Sequence, residues 1–469
     1  MAENAPVFAI LGHPNEGKSS VVATLAEDDS VRISPTPGET RKCRDYPVVI
    51  DGREVIRFVD TPGFQQPRRT LAWIQAYSGP PRQRVEAFIA AHRDDPDFAD
   101  ECELLAPVAE GAGILFVADG SRPVRAGDAA EMEILRLTAA PRMAVINPKE
   151  KSESRYLEDW KTEARSHFNT IRIFDAQQAA YPQRIALLET LAGIDPDWEP
   201  ALRRVIGAFQ EDRERRLRET AAVICELVES AAGHSVKKSV PNEADPAKIR
   251  EELAGRFRKE IAEMEKNAHE RIRKRFRHNL FSPSLPPQSI LNEDLFSSRT
   301  WRLLGLRPWQ LAAAAAAGGG LAGAKVDLAL AGLSFGFFTA LGGAAGAGAA
   351  AIGSKRMAGA KWRGFSLGRT KARVGPVRSD QLLFVLIDRA LLYAAEVANR
   401  SHSRRDPPGR APVPEEKAGY TANWGARRRR SAAGFFAAVR KGRTESAEAL
   451  RGRLTEALYK ELRKIADPG

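Results

Sequence analysis

The run Gly12-His13-Pro14-Asn15-Glu16-Gly17-Lys18-Ser19-Ser20 constrains this chain more than any other feature. It follows Val7-Phe8-Ala9-Ile10-Leu11, which is continuously apolar like a buried parallel strand, and it leads into the helix-forming Val21-Val22-Ala23-Thr24-Leu25-Ala26-Glu27. A strand, a GxxxxGKS loop and a helix in that order form a phosphate cradle. The glycines let backbone N–H groups close on phosphate oxygens, Lys18 reaches the β and γ phosphates, and Ser19 ligates Mg²⁺ at the start of a helix whose dipole favours anions. The expected phosphate contacts are Gly12, Asn15, Glu16, Gly17, Lys18, Ser19 and Ser20.

A second acidic element falls where such a cradle needs it. Val55-Ile56-Arg57-Phe58-Val59 ends in Asp60-Thr61-Pro62-Gly63, one hairpin after the loop, with a strand from Tyr46 to Ile50 and an Asp51-Gly52 turn between. Asp60 at a strand tip holds Mg²⁺ through water, and the Gly63 N–H senses a γ-phosphate. Between the two elements lies the polar, Pro- and Gly-punctuated Ser34-Pro35-Thr36-Pro37-Gly38-Glu39-Thr40-Arg41, suited to being ordered by γ-phosphate and Mg²⁺. Thr40 is its expected ligand, which makes Lys18, Thr40 and Gly63 the catalytic set and Ser19, Thr40 and Asp60 the Mg²⁺ set. Further apolar strands at Gly113 to Ala118, Met143 to Ile146 and Ile171 to Phe174, with helical segments between, predict an α/β fold with a doubly wound, mostly parallel sheet.

These motifs resemble those of the TrmE, Era and EngA branch of P-loop GTPases, over roughly residues 5 to 190. The resemblance implies GTP and GDP as ligands, hydrolysis of GTP, and a K⁺ ion at Asn15. That branch places NKxD at the end of the fifth strand, where this chain has Asn147-Pro148-Lys149-Glu150. By that correspondence Asn147 and Glu150 read guanine, with Asp175-Ala176 as the supporting loop. Glu150 still offers an acceptor for the base N1–H and N2–H₂, although its extra methylene changes the reach. Phe64 follows DTPG where many GTPases carry a glutamine, so no water-orienting group is assigned and hydrolysis is expected to be slow without an activator.

Residues 64–112 form a longer connection than a compact GTPase needs, suited either to sensing nucleotide state and docking a partner or to covering a sheet edge. Charge then divides the chain: residues 1–190 carry −6 and the remainder +18 of the formal +12. From Asp195 onward strand signals stop, and residues 198–232 and 246–277 carry apolar positions at helical spacing among dense charges. The cluster Arg271-Ile272-Arg273-Lys274-Arg275-Phe276-Arg277 reads either as a phosphate-contacting patch or as a solvated helix end. Residues 309–353 are dominated by Ala, Gly and Leu, with glycines four apart at Gly319/Gly323, Gly332/Gly336 and Gly342/Gly346. As helices, Trp309–Ala324 and Leu328–Gly353 would be about 24 and 39 Å long against a hydrocarbon core of about 30 Å. Both flanks are basic, and no acidic residue occurs from 354 to 378, so a hairpin with both ends in the cytoplasm is one reading and a packed soluble Ala/Gly pair the other. Cys43, Cys102 and Cys225 lie far apart with no CxxC, which argues against a disulfide framework and a cysteine zinc site and fits a reducing, cytosolic compartment.

The expected organisation is a GTPase domain over 1–194, a charged helical region over 195–304, the Ala/Gly hairpin over 305–354 and a basic helical tail over 355–469. Taken whole, it resembles a bacterial family in which such a GTPase domain precedes a domain of unknown function with a glycine-rich segment. The resemblance implies a GTP-hydrolysing switch, read first as lying at the cytoplasmic face of the inner membrane with lipid, a protein effector and a second copy of the chain as candidate partners. The alternatives are a soluble RNA- or ribosome-associated GTPase, suggested by the GTPase branch and the basic second half, and a nucleotide-dependent scaffold that hydrolyses little.

Overall fold

The computed structural model describes residues 5–27, 42–148, 155–241, 245–277, 289–296, 300, 304, 361–362, 365–366, 369–377, 380–400 and 419–466. Thr40, Glu150, the loop 34–41 and the Ala/Gly segment 309–353 lie outside them. The chain forms two compact units, one from Met1–Arg215 with Arg277–Ser282 and Ala398–Asp406, the other from Arg216–Phe276, Pro283–Val397 and Pro407–Gly469.

The first unit is built on a six-stranded sheet: β1 (Val7–Leu11), β2 (Arg44–Ile50), β3 (Arg53–Asp60), β4 (Gly113–Asp119), β5 (Arg142–Asn147) and β6 (Thr170–Ile173), in the order β2-β3-β1-β4-β5-β6. Only the β2–β3 hairpin is antiparallel. Every residue of β4 is buried, as a central parallel strand covered on both faces requires. Successive β1 residues feed opposite faces. Phe8 and Ile10 join the core under α1 (Lys18–Ala26), α7 (Tyr181–Ala192) and the start of α8 (Glu199–Gly233), whereas Ala9 and Leu11 join the core beneath the helices of the 64–112 connection, α2 (Pro67–Ala76), α3 (Arg84–His92) and α4 (Ala99–Ala109). α5 (Ala126–Leu137) and α6 (Leu157–Arg165) complete that second layer. This is the α/β, doubly wound sheet expected, followed by a mainly helical second unit.

In the second unit, α8 continues beyond Arg215 and is joined by α9 (Pro246–Arg275), α10 (Gln381–Ala398), α11 (Ala426–Arg440) and α12 (Thr444–Ala466). Asp245 caps α9 by accepting from the Ala247 N–H at 2.9 Å, with Pro246 pre-set for the first turn. Strands do not stop after Asp195. β7 (Val236–Pro241) pairs antiparallel with β10 (Arg369–Val374), and β8 (Lys361–Trp362) pairs with β9 (Phe365–Ser366). The expectation failed because the partner of β7 lies far later in the chain, so no local hairpin signal marks it. The basic cluster closing α9 is largely met by acids: Arg271 pairs with Glu226 at 2.7 Å, Arg275 with Glu219 at 2.8 Å and Lys274 with Glu270 at 2.8 Å, while Ile272 and Phe276 are buried.

α10 is buried almost all round, and two adjacent charged residues on it are gripped by their surroundings. Arg389 bonds Glu265 through Nε at 2.5 Å and Nη2 at 3.3 Å, and donates to the carbonyls of Ile290, Leu291 and Glu293. Asp388 accepts from the Thr421 N–H at 2.8 Å and the Thr421 hydroxyl at 2.7 Å, and burial pushes its carboxyl up to about 8. Among the described residues no helix is long and apolar enough to cross a membrane.

Candidate nucleotide site

β1 ends at Leu11, the loop turns through Gly12–Gly17, and α1 begins at Lys18. Gly17 adopts φ 95°, and a Cβ there would lie 2.3 Å from Asn147 Nδ2, so the loop's last turn both needs the left-handed region and leaves no room for a side chain. Asn15 also has positive φ, at 65°. The DTPG turn comes equally close: a Cβ on Gly63 would stand 2.5 Å from Pro14 N. The Thr61 hydroxyl donates to the Ile10 carbonyl at 2.7 Å and holds that turn against β1.

Lys18 is buried, and its Nζ donates to the Gly12 and His13 carbonyls at 3.0 Å each. Burial lowers its pKa, opposed by the charges of Asp60, Glu131 and Glu16. The Ser19 hydroxyl donates to Asp60 Oδ2 at 2.8 Å. Asp60 Oδ1 is buried with no hydrogen-bond partner among the described residues, and burial raises the carboxyl's pKa against the pull of Lys18. A hydroxyl and a carboxylate side by side, one oxygen of the latter uncommitted, suit a hard divalent cation such as Mg²⁺.

Asn147, at the tip of β5, reaches both ways: its Nδ2 donates to the Glu16 carbonyl at 3.3 Å, and its Oδ1 accepts from the Ala176 N–H at 3.3 Å. Asp175 turns its carboxylate onto the Gln177 and Gln178 N–H groups, and Thr24 of α1 donates to the Ala176 carbonyl at 2.9 Å. The fold thus gathers the phosphate loop, Asn147 and the Asp175-Ala176 loop. Ser20 is buried within α1.

Glu16 behaves unlike a simple phosphate-loop residue. Its carboxylate accepts from the Asp119 N–H and from Arg122, whose Nη2 lies 2.5 Å away, and Arg122 pairs in turn with Asp128 at 2.7 Å. His13 bonds Glu131 of α5 at 2.8 Å. Burial pushes the Glu131 carboxyl up to about 7, and the bond to Glu131 raises the His13 imidazole. Both shifts make the folded chain retain protons that the unfolded chain releases. The contribution to stability is therefore full below the unfolded values of 4.5 and 6.5 and is lost as pH rises through the folded ones. Urea-unfolding midpoints should fall between about pH 5 and pH 7.5, and Glu131→Gln should flatten that fall. An unchanged slope in the variant would show that the pair does not carry it.

The 64–112 connection is bonded to the chain on both sides of this site. Glu101, fully buried on α4, accepts from the Gln65 N–H at 2.7 Å and the Gln66 N–H at 2.5 Å, directly after DTPGF. Glu103 of the same helix accepts from the Cys43 N–H at 2.8 Å, just beyond the 34–41 loop. Phe64 is fully buried in the core and Gln65 is exposed. None of Glu101, Glu103, Arg122 and Glu131 belongs to a motif, and no signal in the sequence singles them out. Cys43 is no reactive thiol, since burial and Glu103 push it up to about 12.

A strand-loop-helix cradle with a buried lysine, a serine–aspartate pair and an asparagine at the fifth strand tip defines a P-loop GTPase domain, and residues 7–148 match the family model described as 50S ribosome-binding GTPase. Residues 161–464 match the model described as Domain of unknown function (DUF3482), and the chain belongs to that family. It is similar to GTPase Der of Agathobacter rectalis, 40% identical over 76 residues, which is 16% of this chain and 17% of that protein. It is also similar to GTPase Der of Syntrophobacter fumaroxidans, 29% identical over 149 residues, 32% of this chain and 28% of that one. The chain thus spans less than a third of the length of either relative. A solved structure of an Aquifex aeolicus Era variant bound to GDP·AlF4⁻ aligns with 58% of this chain and 89% of its own at 17% identity and a TM-score of 0.27.

Proposed function

We propose that this chain is a GTP-hydrolysing switch whose first unit binds GTP·Mg²⁺ and whose helical second unit engages the partner. The observation that carries the reading is the Ser19–Asp60 pair, with Asp60 Oδ1 uncommitted, beside the buried Lys18. In this reading Lys18 would hold the β and γ phosphates, and Ser19, Thr40 and Asp60 would hold Mg²⁺, which would supply charge neutralisation to the phosphates. The Gly63 N–H would meet the γ-phosphate, and N–H groups of Asn15, Glu16, Gly17, Lys18, Ser19 and Ser20, with the close approach that Gly12 allows, would meet the remaining oxygens. Asn147 holds the loop and the Ala176 turn together behind the base, Glu150 reads the base, and the Asp175-Ala176 loop supports it. The Glu16 carboxylate, committed to Asp119 and Arg122, leaves that residue only its backbone for the nucleotide. Calorimetry with GTP, GDP and ATP, with and without Mg²⁺, tests the reading. Equal affinity for ATP and GTP would sink the guanine assignment, and no Mg²⁺ dependence would sink the metal set.

In this reading Asn15 would hold a K⁺ ion, whose charge would offset negative charge developing on the phosphates as an arginine finger does. The buried Phe64 cannot orient water, so hydrolysis should be slow in NaCl and faster by about an order of magnitude or more in KCl, with Asn15→Ala abolishing the difference. Phosphate release at equal ionic strength is the measurement, and equal rates in the two salts would remove the K⁺ site. The inner-membrane reading rests on residues 309–353, outside the described residues.

A further inference from the structure

The chain that passes through the DTPG turn is held along its length. The Thr61 hydroxyl donates to the Ile10 carbonyl at 2.7 Å, Gly63 lies against Pro14 with no room for a Cβ, and the Gln65 and Gln66 N–H groups donate to Glu101 at 2.7 and 2.5 Å. Glu101 is fully buried. Its carboxylate stands at the start of α2, where a negative charge complements the free N–H groups of a helix end. Between these anchors the side chains part: Phe64 joins the core with Ile74 and Phe88, and Gln65 is exposed.

Exposed as it is, the Gln65 side chain has a fixed bearing, because its Nε2 donates to the Gly63 carbonyl at 3.3 Å. The amide is thereby folded back over the residue whose N–H is assigned to the γ-phosphate. The N and O of one residue are at most about 3.6 Å apart, so Gln65 Nε2 lies within about 7 Å of Gly63 N. A phosphate oxygen on that N–H and a water touching the phosphate both fit in such a span. The other polar groups nearby are engaged elsewhere: His13 on Glu131, Lys18 on the Gly12 and His13 carbonyls, and Ser19 on Asp60. Gln66 meets Glu101 through its backbone and serves as the N-cap of α2.

We propose that Gln65 is the catalytic residue that orients the attacking water, with Glu101 as its positioning residue. The proposal rests on the nucleotide-switch reading and supplies the group that the buried Phe64 cannot. With Nε2 held on the Gly63 carbonyl, Gln65 Oε1 is left to accept a hydrogen bond from a water in line with the γ phosphorus. The water oxygen bonds to that phosphorus as the bond from phosphorus to the β–γ bridging oxygen breaks. GDP leaves with the bridging oxygen and its electron pair, one proton of the water stays on the released phosphate, and the other passes to solvent. Gln65 takes no proton, as a neutral amide requires. Glu101 acts through the main chain: it grips the N–H groups of Gln65 and Gln66, so an exposed amide is delivered from a fixed backbone. A misplacement of about 1 Å in such a group costs on the order of a hundred-fold in rate.

The test is phosphate release from GTP by the full chain in KCl and Mg²⁺, with the affinity of a fluorescent GDP analogue measured beside it. Gln65→Ala should lower kcat about a hundred-fold with KM and GDP affinity unchanged. Gln66→Ala should leave kcat unchanged. Glu101→Gln, which keeps an acceptor of the same shape, should cost less than Glu101→Ala, and Glu101→Ala should add little to Gln65→Ala because the two residues act as a unit. Aluminium fluoride, which with GDP mimics the phosphate under attack, should tighten GDP binding in the parent chain and not in Gln65→Ala; a merely structural role would weaken GDP binding itself. Full kcat in Gln65→Ala, or an equal loss in Gln66→Ala, would overturn the proposal and leave the switch reading standing. So would a parent chain that binds GTP without hydrolysing it. A parent chain that binds no GTP would sink the switch reading and this proposal with it.

Discussion

Lys18→Ala should abolish GTP and GDP binding, a loss of at least three orders of magnitude in affinity by calorimetry. The size follows from what the Lys18 ammonium does without ligand. Buried and bonded to the Gly12 and His13 carbonyls, it is already aimed across the loop, so phosphates meet a fixed charge in a site of low dielectric. Burial lowers its pKa, and anionic phosphates would oppose that shift. The circular dichroism spectrum and the unfolding midpoint should change little, because the substitution also removes a desolvated charge. Unchanged affinity would remove the GTPase reading altogether.

Arg389→Ala should be the most damaging single change to the second unit, costing about 3–5 kcal/mol. The arginine holds Glu265 and three backbone carbonyls, and its removal strands a buried carboxylate whose pKa burial already raises. Replacing both partners, with Arg389→Met and Glu265→Leu, should cost much less than Arg389→Ala, because no charge is then left unpaired. Urea unfolding followed by Trp fluorescence measures both. A double variant as unstable as the single one would show that the carbonyl bonds, and not the ion pair, hold the site.

The constellation of the candidate nucleotide site was legible wherever its chemistry is local. The loop 12–20, Asp60, Gly63, Asn147 and Ala176 announce themselves through strand ends and spacing, and the fold brings the loop, Asn147 and Ala176 within bonding distance. The supporting charges were not legible. Glu101 and Arg122 owe their roles to tertiary approach: Glu101 sits 36 residues from Gln65, and Arg122 sits 106 from Glu16. Nothing in the composition of α4 distinguishes a carboxylate that grips a turn from one that faces water. The role of the Glu16 side chain was likewise not legible: it serves the β4–α5 turn through the Asp119 N–H and Arg122. The same limit hid β7 and β10, whose alternation is visible only once the partner strand is known.

The neighbouring Asp388 and Arg389 have a further meaning for how the second unit can come apart. Arg389 holds the carbonyls of Ile290, Leu291 and Glu293, from 96 to 99 positions earlier in the chain, and Asp388 holds Thr421, 33 positions later. One turn of α10 thus ties together stretches that have no local bond to one another. Fraying of α10 at that turn releases both stretches in a single step, so residues 290–293 and Thr421 open as one cooperative unit rather than independently.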